Sequence, residues 1–231
     1  MLCIKLRSLH QLIFIEMGDM LTDYFISKHG FFSIFLAFGL AILVRLYYPA
    51  AFPFALALAG IVVYFFRNPK RRTPEREGIL VSPADGTVFS VKQVEEPYFL
   101  QQQAWKVSIF LSIFDVHMNR VPIAGEIAFK KHIPGKYLVA WREKASTDNE
   151  RNLTGFQNGP FKVLVVQIAG FIARRIVCPV QVGDKFKAGD LFGLIKFGSC
   201  VEVYFPLDMK PTVKEGDKVR GGETVIAEST N

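Results

Sequence analysis

Apolar and polar positions alternate in two different textures along this chain. Phe31–Val44 ("FFSIFLAFGLAILV") is uncharged, and after Arg45 the run Leu46–Phe66 continues for 21 residues without a charge. A helix needs roughly 20 apolar residues to cross a bilayer core, so the second run is long enough and the first is short. Pro49 and Pro53 stand at the head of the second run, where proline starts or kinks a helix rather than sitting inside it. The pattern predicts a membrane-associated helical hairpin within residues 30–72, which either dips into one leaflet or spans twice. Residues 1–29 form an N-terminal tail with no informative pattern and no convincing cleavable signal peptide.

From Gly78 onward short β-rich runs alternate with Gly, Pro and Asp turns, as in "ILVSPADGTVFSVKQV", "WKVSIFLSIF", "FKVLVVQIAGFIARRIV" and "VEVYFP". An internal repeat reinforces the reading: "VGDKFKAGDLFG" (Val182–Gly193) matches "EGDKVRGGETVI" (Glu215–Ile226) 33 residues later. The Gly-Asp pairs are turn formers, and two such units suggest a lipoyl-like barrel-sandwich. The fold class expected is mainly β, with one β domain over residues 73–231 behind the hairpin. Helical patterning in that domain shows only around Asn149–Asn152 ("NERN").

Composition sharpens the picture in three ways. Half the chain is apolar and 22 residues are Phe, which suits membrane association. The net charge of +7 calls for an anionic partner. No long Lys/Arg tract or nucleic-acid motif is present, so lipid is favoured over nucleic acid. Cys3, Cys178 and Cys200 give neither a disulfide framework nor a zinc pattern. The basic run "RNPKRRTPER" directly after the apolar segments puts the β domain on the cytoplasmic face of the membrane by the positive-inside rule. The competing reading, a signal anchor exporting the rest, has its positive charge on the wrong side.

Three places carry candidate chemistry. "SPADGTV" holds Asp85 in a turn between two strands, "FLSIFDVHMNRVP" holds Asp115, His117, Asn119 and Arg120 after an apolar run, and "KFGSCV" holds Ser199 inside a strand pattern. Each has a plain structural explanation: a turn Asp, a structural His, a Gly bulge. Together an Asp, a His and a Ser also have the makings of orienter, base and nucleophile. No G-x-S-x-G elbow is present, so an α/β-hydrolase is not indicated.

The ordered set "FFRNPKR", "VSPADGTV", "SIFDVHMNRVP", "ASTDNERN", "VQIAGFIARRIV", "GDKFKAGDLFGLIKFGSCVEVYFP" and "GGETVIAE" resembles the short subfamily of phosphatidylserine decarboxylase proenzymes, over nearly the whole chain from about Phe31. The resemblance implies self-cleavage between Gly198 and Ser199. A large chain (1–198) and a small chain (199–231) would result, the latter capped by a pyruvoyl group derived from Ser199. It implies decarboxylation of phosphatidylserine to phosphatidylethanolamine and CO2 through a Schiff base on that pyruvoyl group, with no metal. The partners implied are a phospholipid membrane and a large–small heterodimer that pairs further into a homodimer, at the cytoplasmic face of the cell inner membrane. By the same resemblance His117 takes the Ser199 proton and Asp85 orients His117. Arg174 and Arg175 are candidates for the headgroup phosphate, since Arg binds phosphate bidentately. Two residues depart from the pattern. Arg120 stands where longer members carry a second His, and Cys200 follows the scissile serine, where it reads as a small buried residue.

Two rival readings compete with this one. A membrane-anchored lipoyl-like adaptor explains the hairpin and the Gly-Asp repeat but predicts no cleavage, and Lys196 lacks the setting of a modifiable hairpin-tip lysine. A serine hydrolase using Ser199, His117 and Asp85 without maturation predicts an intact chain.

Overall fold

The computed structural model describes residues 26–27, 30–137, 145–170, 176–195 and 199–230. Arg174, Arg175 and Gly198 lie outside the described residues. The chain divides into two units between Lys70 and Arg71.

In the first unit, α1 (Phe31–Tyr47) and α2 (Phe52–Phe65) are joined by a 3-10 turn at Pro49–Ala51. Pro53 lies in the first turn of α2, where its missing N–H breaks no helical bond. The prolines therefore divide the uncharged run Leu46–Phe66, and the second helix starts beside Pro53, as a helix-starting proline predicts. With 14 residues, α2 is about 21 Å long at 1.5 Å per residue, against a bilayer core of about 30 Å. Among the described residues no helix is long and apolar enough to cross a membrane. Both helices nevertheless expose large apolar side chains, with Phe32 and Phe54 each 80% accessible.

The second unit is mainly β. Its strands are β1 (Ile79–Val81), β2 (Gly86–Glu96), β3 (Gln102–Leu111), β4 (Met118–Arg120), β5 (Gly125–Ile133), β6 (Arg151–Asn158) and β7 (Phe161–Ile168), followed by β8 (Ile176–Val177), β9 (Lys185–Phe186), β10 (Leu191–Ile195), β11 (Ser199–Pro206), β12 (Met209–Pro211), β13 (Lys218–Val219) and β14 (Val225–Ser229). Among the described residues they form three antiparallel sheets, β13-β2-β3-β11-β7-β6-β5-β9, β1-β14-β12 and β4-β10-β8, none closed into a barrel. The "NERN" segment enters β6; the helical turn α3 (Ala145–Asp148) lies just before it. Asn152 is paired with Gln167 of β7, so cross-strand bonding overrides the local helical preference.

The sequence repeat appears as turns of one build. Gly183 and Gly216 take φ of +95° and +92°, the left-handed region open to glycine. The Gly183 N–H donates to Ile127 O and the Gly216 N–H to Val88 O. The following Asp184 and Asp217 carboxylates accept from the backbone N–H groups of Gln181 and Lys214 at 2.7 and 2.9 Å. Gly189–Asp190 repeats the arrangement against Val121. Each turn thus pins a strand edge through its own local hydrogen bonds.

The central strands β3, β11 and β7 are covered on both faces. Ile109, Leu111, Val163, Val165, Val201, Val203 and Phe205 face one apolar cluster; Ala104, Leu164, Val166, Ile168 and Cys200 face another, under Phe99 and Phe129. Each buried large side chain contributes about 1.5–3 kcal/mol. A buried ion pair crosses this sheet: Lys106 Nζ donates to Glu202 Oε1 at 3.0 Å, while Tyr204 OH donates to Glu202 Oε2 at 2.7 Å. Burial and then Glu202 push the Tyr204 hydroxyl above its ordinary pKa, and the same two causes raise the Cys200 thiol, leaving it unreactive. Lys106→Met leaves the Glu202 carboxylate buried without its cation. The expected loss is about 3–5 kcal/mol, read by denaturant unfolding; a loss below about 1 kcal/mol would mean that water reaches Glu202.

Candidate functional site

Ser199 is the first residue of β11 and pairs with Leu111, the last residue of β3. Alternation puts its side chain on the same face as Val201 and Val203, in the main core. It is wholly buried, and its Oγ has no hydrogen-bond partner among the described residues. A hydroxyl held that way costs about 1–3 kcal/mol, an expense that a folded protein seldom carries without a use for the group.

Directly after Leu111 the chain makes a tight turn. The Asp115 carboxylate accepts from both the N–H and the Oγ–H of Ser112, at 2.8 and 2.7 Å, and the turn closes with the Asp115 N–H on Ser112 O. This delivers His117, which is 2% exposed, with Nδ1 at 2.9 Å from Asp115 O. A carbonyl oxygen only accepts, so Nδ1 carries the proton and Nε2 is the basic nitrogen.

A second tether brings His117 to the same corner. The Ile195 N–H donates to His117 O, and β10 pairs with β4 through Leu194 and Met118. Only residues 196–198 separate Ile195 from Ser199, so their Cα atoms are at most about 14 Å apart. Serine and histidine are thus held from both ends: through Leu111 on one side and Ile195 on the other.

Asp85, in the turn between β1 and β2, is held by other partners. Its Oδ1 accepts from the Gly221 N–H at 2.8 Å and its Oδ2 from Arg71 Nη2 at 2.7 Å. Arg71 also reaches Glu223 Oε2 at 3.3 Å. Glu223 follows Gly222, another positive-φ glycine, but it does not cap its own turn as Asp184 and Asp217 do: Thr224 Oγ1 accepts the Arg220 N–H instead. That leaves the Glu223 carboxylate for Arg71 and for the Arg72 N–H. Burial works against this carboxylate, yet those donors hold it below its ordinary pKa. Arg120 joins the group: burial and then Arg71 lower its guanidinium pKa to about 10, while Asp85, Glu223 and Asp190 oppose the shift. Its Nη1 donates to Gly189 O at 2.9 Å. The structure therefore ties Ser199 to Leu111 and His117 to Ile195 at neighbouring strand ends, sets the histidine tautomer through Asp115 O, and seats Asp85 in a cluster with Arg71, Arg120 and Glu223.

Sequence reasoning did not single out Arg71, Glu223 or Gln167. Arg71 reads as one of a run of juxtamembrane cations. Gln167 had a visible signal, a lone amide within the apolar strand "FKVLVVQIA".

The family model for phosphatidylserine decarboxylase matches residues 58–227. Relatives named phosphatidylserine decarboxylase proenzyme include one from Symbiobacterium thermophilum, 45% identical over 87% of this chain and 94% of its own. One from Carboxydothermus hydrogenoformans is 53% identical over 71% of this chain and 78% of its own, and one from Nitrosomonas europaea is 44% identical over 90% and 99%. With a match across most of its length, from the second apolar run to the last strand, the chain belongs to the phosphatidylserine decarboxylase family.

Proposed function

We propose that this chain is a self-cleaving proenzyme that decarboxylates phosphatidylserine to phosphatidylethanolamine. The observation that carries the reading is the buried Ser199 Oγ at the head of β11, which has no hydrogen-bond partner among the described residues, on a strand end tied through Leu111 and Ile195 to the segment that carries His117. A serine hydroxyl needs a base to attack. His117 takes its proton as Oγ adds to the carbonyl of Gly198, and the amide becomes an ester. Loss of the Ser199 α-proton and departure of the Gly198 carboxylate leave a dehydroalanine at residue 199. Tautomerisation, addition of water and release of ammonia then give a pyruvoyl group, so the residue converted is the one whose hydroxyl has no partner among the described residues. When formed, that group supplies a ketone for the serine headgroup amine and a conjugated carbonyl that takes up the electron pair released with CO2. Asp85 supports the corner from the Arg71–Arg120 side. Arg174 and Arg175 are assigned to the headgroup phosphate.

The cut leaves a stable complex for a structural reason. Residues 199–230 supply β11, paired on both sides by β3 and β7, and β14, paired with β1. Severing the chain before β11 removes none of these hydrogen bonds or the buried area behind them. Intact mass tests the reading: wild type should give a fragment beginning at residue 199 with the mass of a pyruvoyl rather than a serine. A single uncut chain would favour the adaptor or the hydrolase.

The substrate implies a membrane. The exposed apolar faces of α1 and α2 suit shallow insertion, and the cations from Arg67 to Arg76 suit anionic headgroups at the cytoplasmic face. In the β domain, Ile113 and Phe114 are 47% and 65% exposed at the tip of the turn that Asp115 fixes, three residues before the chain delivers His117. This tip docks the site onto the lipid surface. Replacing both by Ser should cut turnover on phosphatidylserine vesicles about tenfold or more, given the worth of two inserted side chains. Turnover of a short-chain phosphatidylserine dissolved as monomers should not change; equal loss on both substrates would refute docking.

A further inference from the structure

Asn119 lies in β4, and His117 stands directly before that strand with its O accepting from the Ile195 N–H of β10. Asn119 is wholly buried. Its Oδ1 accepts from Gln167 Nε2 at 2.7 Å; Gln167 Oε1 accepts from Asn152 Nδ2 at 3.0 Å, and that nitrogen also reaches Thr154 Oγ1 at 3.1 Å. The chain of amides fixes the direction of Asn119, oxygen towards Gln167 and nitrogen away. That Nδ2 has no hydrogen-bond partner among the described residues. Gly193, which pairs with Asn119 across β10, makes room for the arrangement: a Cβ there would lie 2.9 Å from Gln167 Nε2.

Gln167 also pairs with Val201 of β11. Cross-strand partners share a face, so Gln167, Val201 and Ser199 point to one side, with Ser199 the diagonal neighbour of Gln167 at about 7–8 Å between Cα atoms. One amide beyond Gln167 stands Asn119. Two buried groups with unused hydrogen-bonding capacity, the Asn119 donor and the Ser199 hydroxyl, therefore occupy the same part of the core. An unpaired buried donor is costly, and here three further side chains are spent on holding it in place.

We infer that Asn119 Nδ2 is the donor that stabilises the oxyanion formed when Ser199 Oγ adds to the carbonyl before it. The inference rests on the self-cleavage proposed above. In the addition, the Oγ–C bond forms, the hydroxyl proton passes to His117, and the carbonyl π pair moves onto its oxygen. Collapse restores the carbonyl, breaks the C–N bond and returns the proton to the nitrogen of residue 199. Negative charge exists on that oxygen only between the two events. A donor with no partner among the described residues is preorganised for that interval and needs no rearrangement to serve it. Gln167 and Asn152 are positioning residues that keep the amide from turning over.

Asn119→Asp keeps the size of the side chain and the acceptor for Gln167 but has no N–H to give. In a cell-free translation chase followed by mass, its self-cleavage is expected to slow about 10²–10³-fold, the loss typical of removing one oxyanion donor. No hydroxylamine-sensitive ester should accumulate, because the block precedes the ester. Accumulated ester, or cleavage at the wild-type rate, would overturn the assignment. If Asn119→Asp does not fold, Gln167→Glu carries the test: a carboxylate at 167 draws Asn119 Nδ2 to itself, and cleavage must slow in the same way, whereas wild-type speed overturns the proposal. A wild-type chain that never cleaves would instead remove the proposed function itself.

Discussion

Ser199→Ala is expected to persist as one uncut polypeptide of 231 residues, with no carbon dioxide released from phosphatidylserine at any enzyme concentration. The variant lacks the only atom that starts the acyl shift, so the effect is a complete loss rather than a slowing. Its stability prediction is equally definite. The Cβ that packs against the core remains, and the atom removed is a buried hydroxyl without a hydrogen-bond partner among the described residues. Deleting such a group relieves a desolvation penalty of about 1–3 kcal/mol. The melting temperature of Ser199→Ala should equal or exceed that of an uncut wild-type precursor. A clear fall in Tm would mean that the hydroxyl is structural, and a cut chain would move the scissile bond elsewhere.

Much of the fold was legible because its signals are local. The Gly183–Asp184 and Gly216–Asp217 turns each bring their own φ > 0 residue and capping carboxylate within a few positions, and a pattern that short survives in the sequence. β11 was legible as a strand pattern in "VEVYFP", but its burial on both faces was not, because the covering clusters come from distant strands. Pro49 and Pro53 were legible as local signals too: a proline opens a helix through its own fixed φ, and the second helix does begin beside Pro53.

The site was legible unevenly. Ser199 rests on motif resemblance, since "FGSC" alone describes a bulge as well as a cleavage site. The histidine tautomer is set by a backbone carbonyl two residues away, and any residue type supplies a carbonyl, so no pattern marks it. Asp85 was expected to orient His117, yet its hydrogen bonds go to Arg71, 14 positions before it, and to Gly221, 136 positions after it. Such partners are chosen by the folded chain. The visible clue was the fourth turn, where Glu replaces the Asp of the other three and caps nothing of its own.

His117→Ala is expected to slow self-cleavage by about 10²–10⁴-fold, the usual contribution of a positioned general base, which is about 3–5 kcal/mol in activation free energy. Nδ1 is committed to Asp115 O, so Nε2 holds the lone pair, and the His117 backbone is tied to the strand ends beside Ser199 through Leu111 and Ile195. A purely structural histidine would lower stability and slow cleavage in proportion to the unfolded fraction. A base behaves differently: the folded variant remains slow, and imidazole added to the solution restores part of the rate by entering the space that the ring vacated. The decisive readout is the cleavage rate of folded His117→Ala with and without imidazole. Slow cleavage with rescue assigns the proton transfer to this residue. Wild-type cleavage with lost decarboxylation would move His117 from maturation to turnover, and wild-type behaviour in both would leave Ser199 in need of another base.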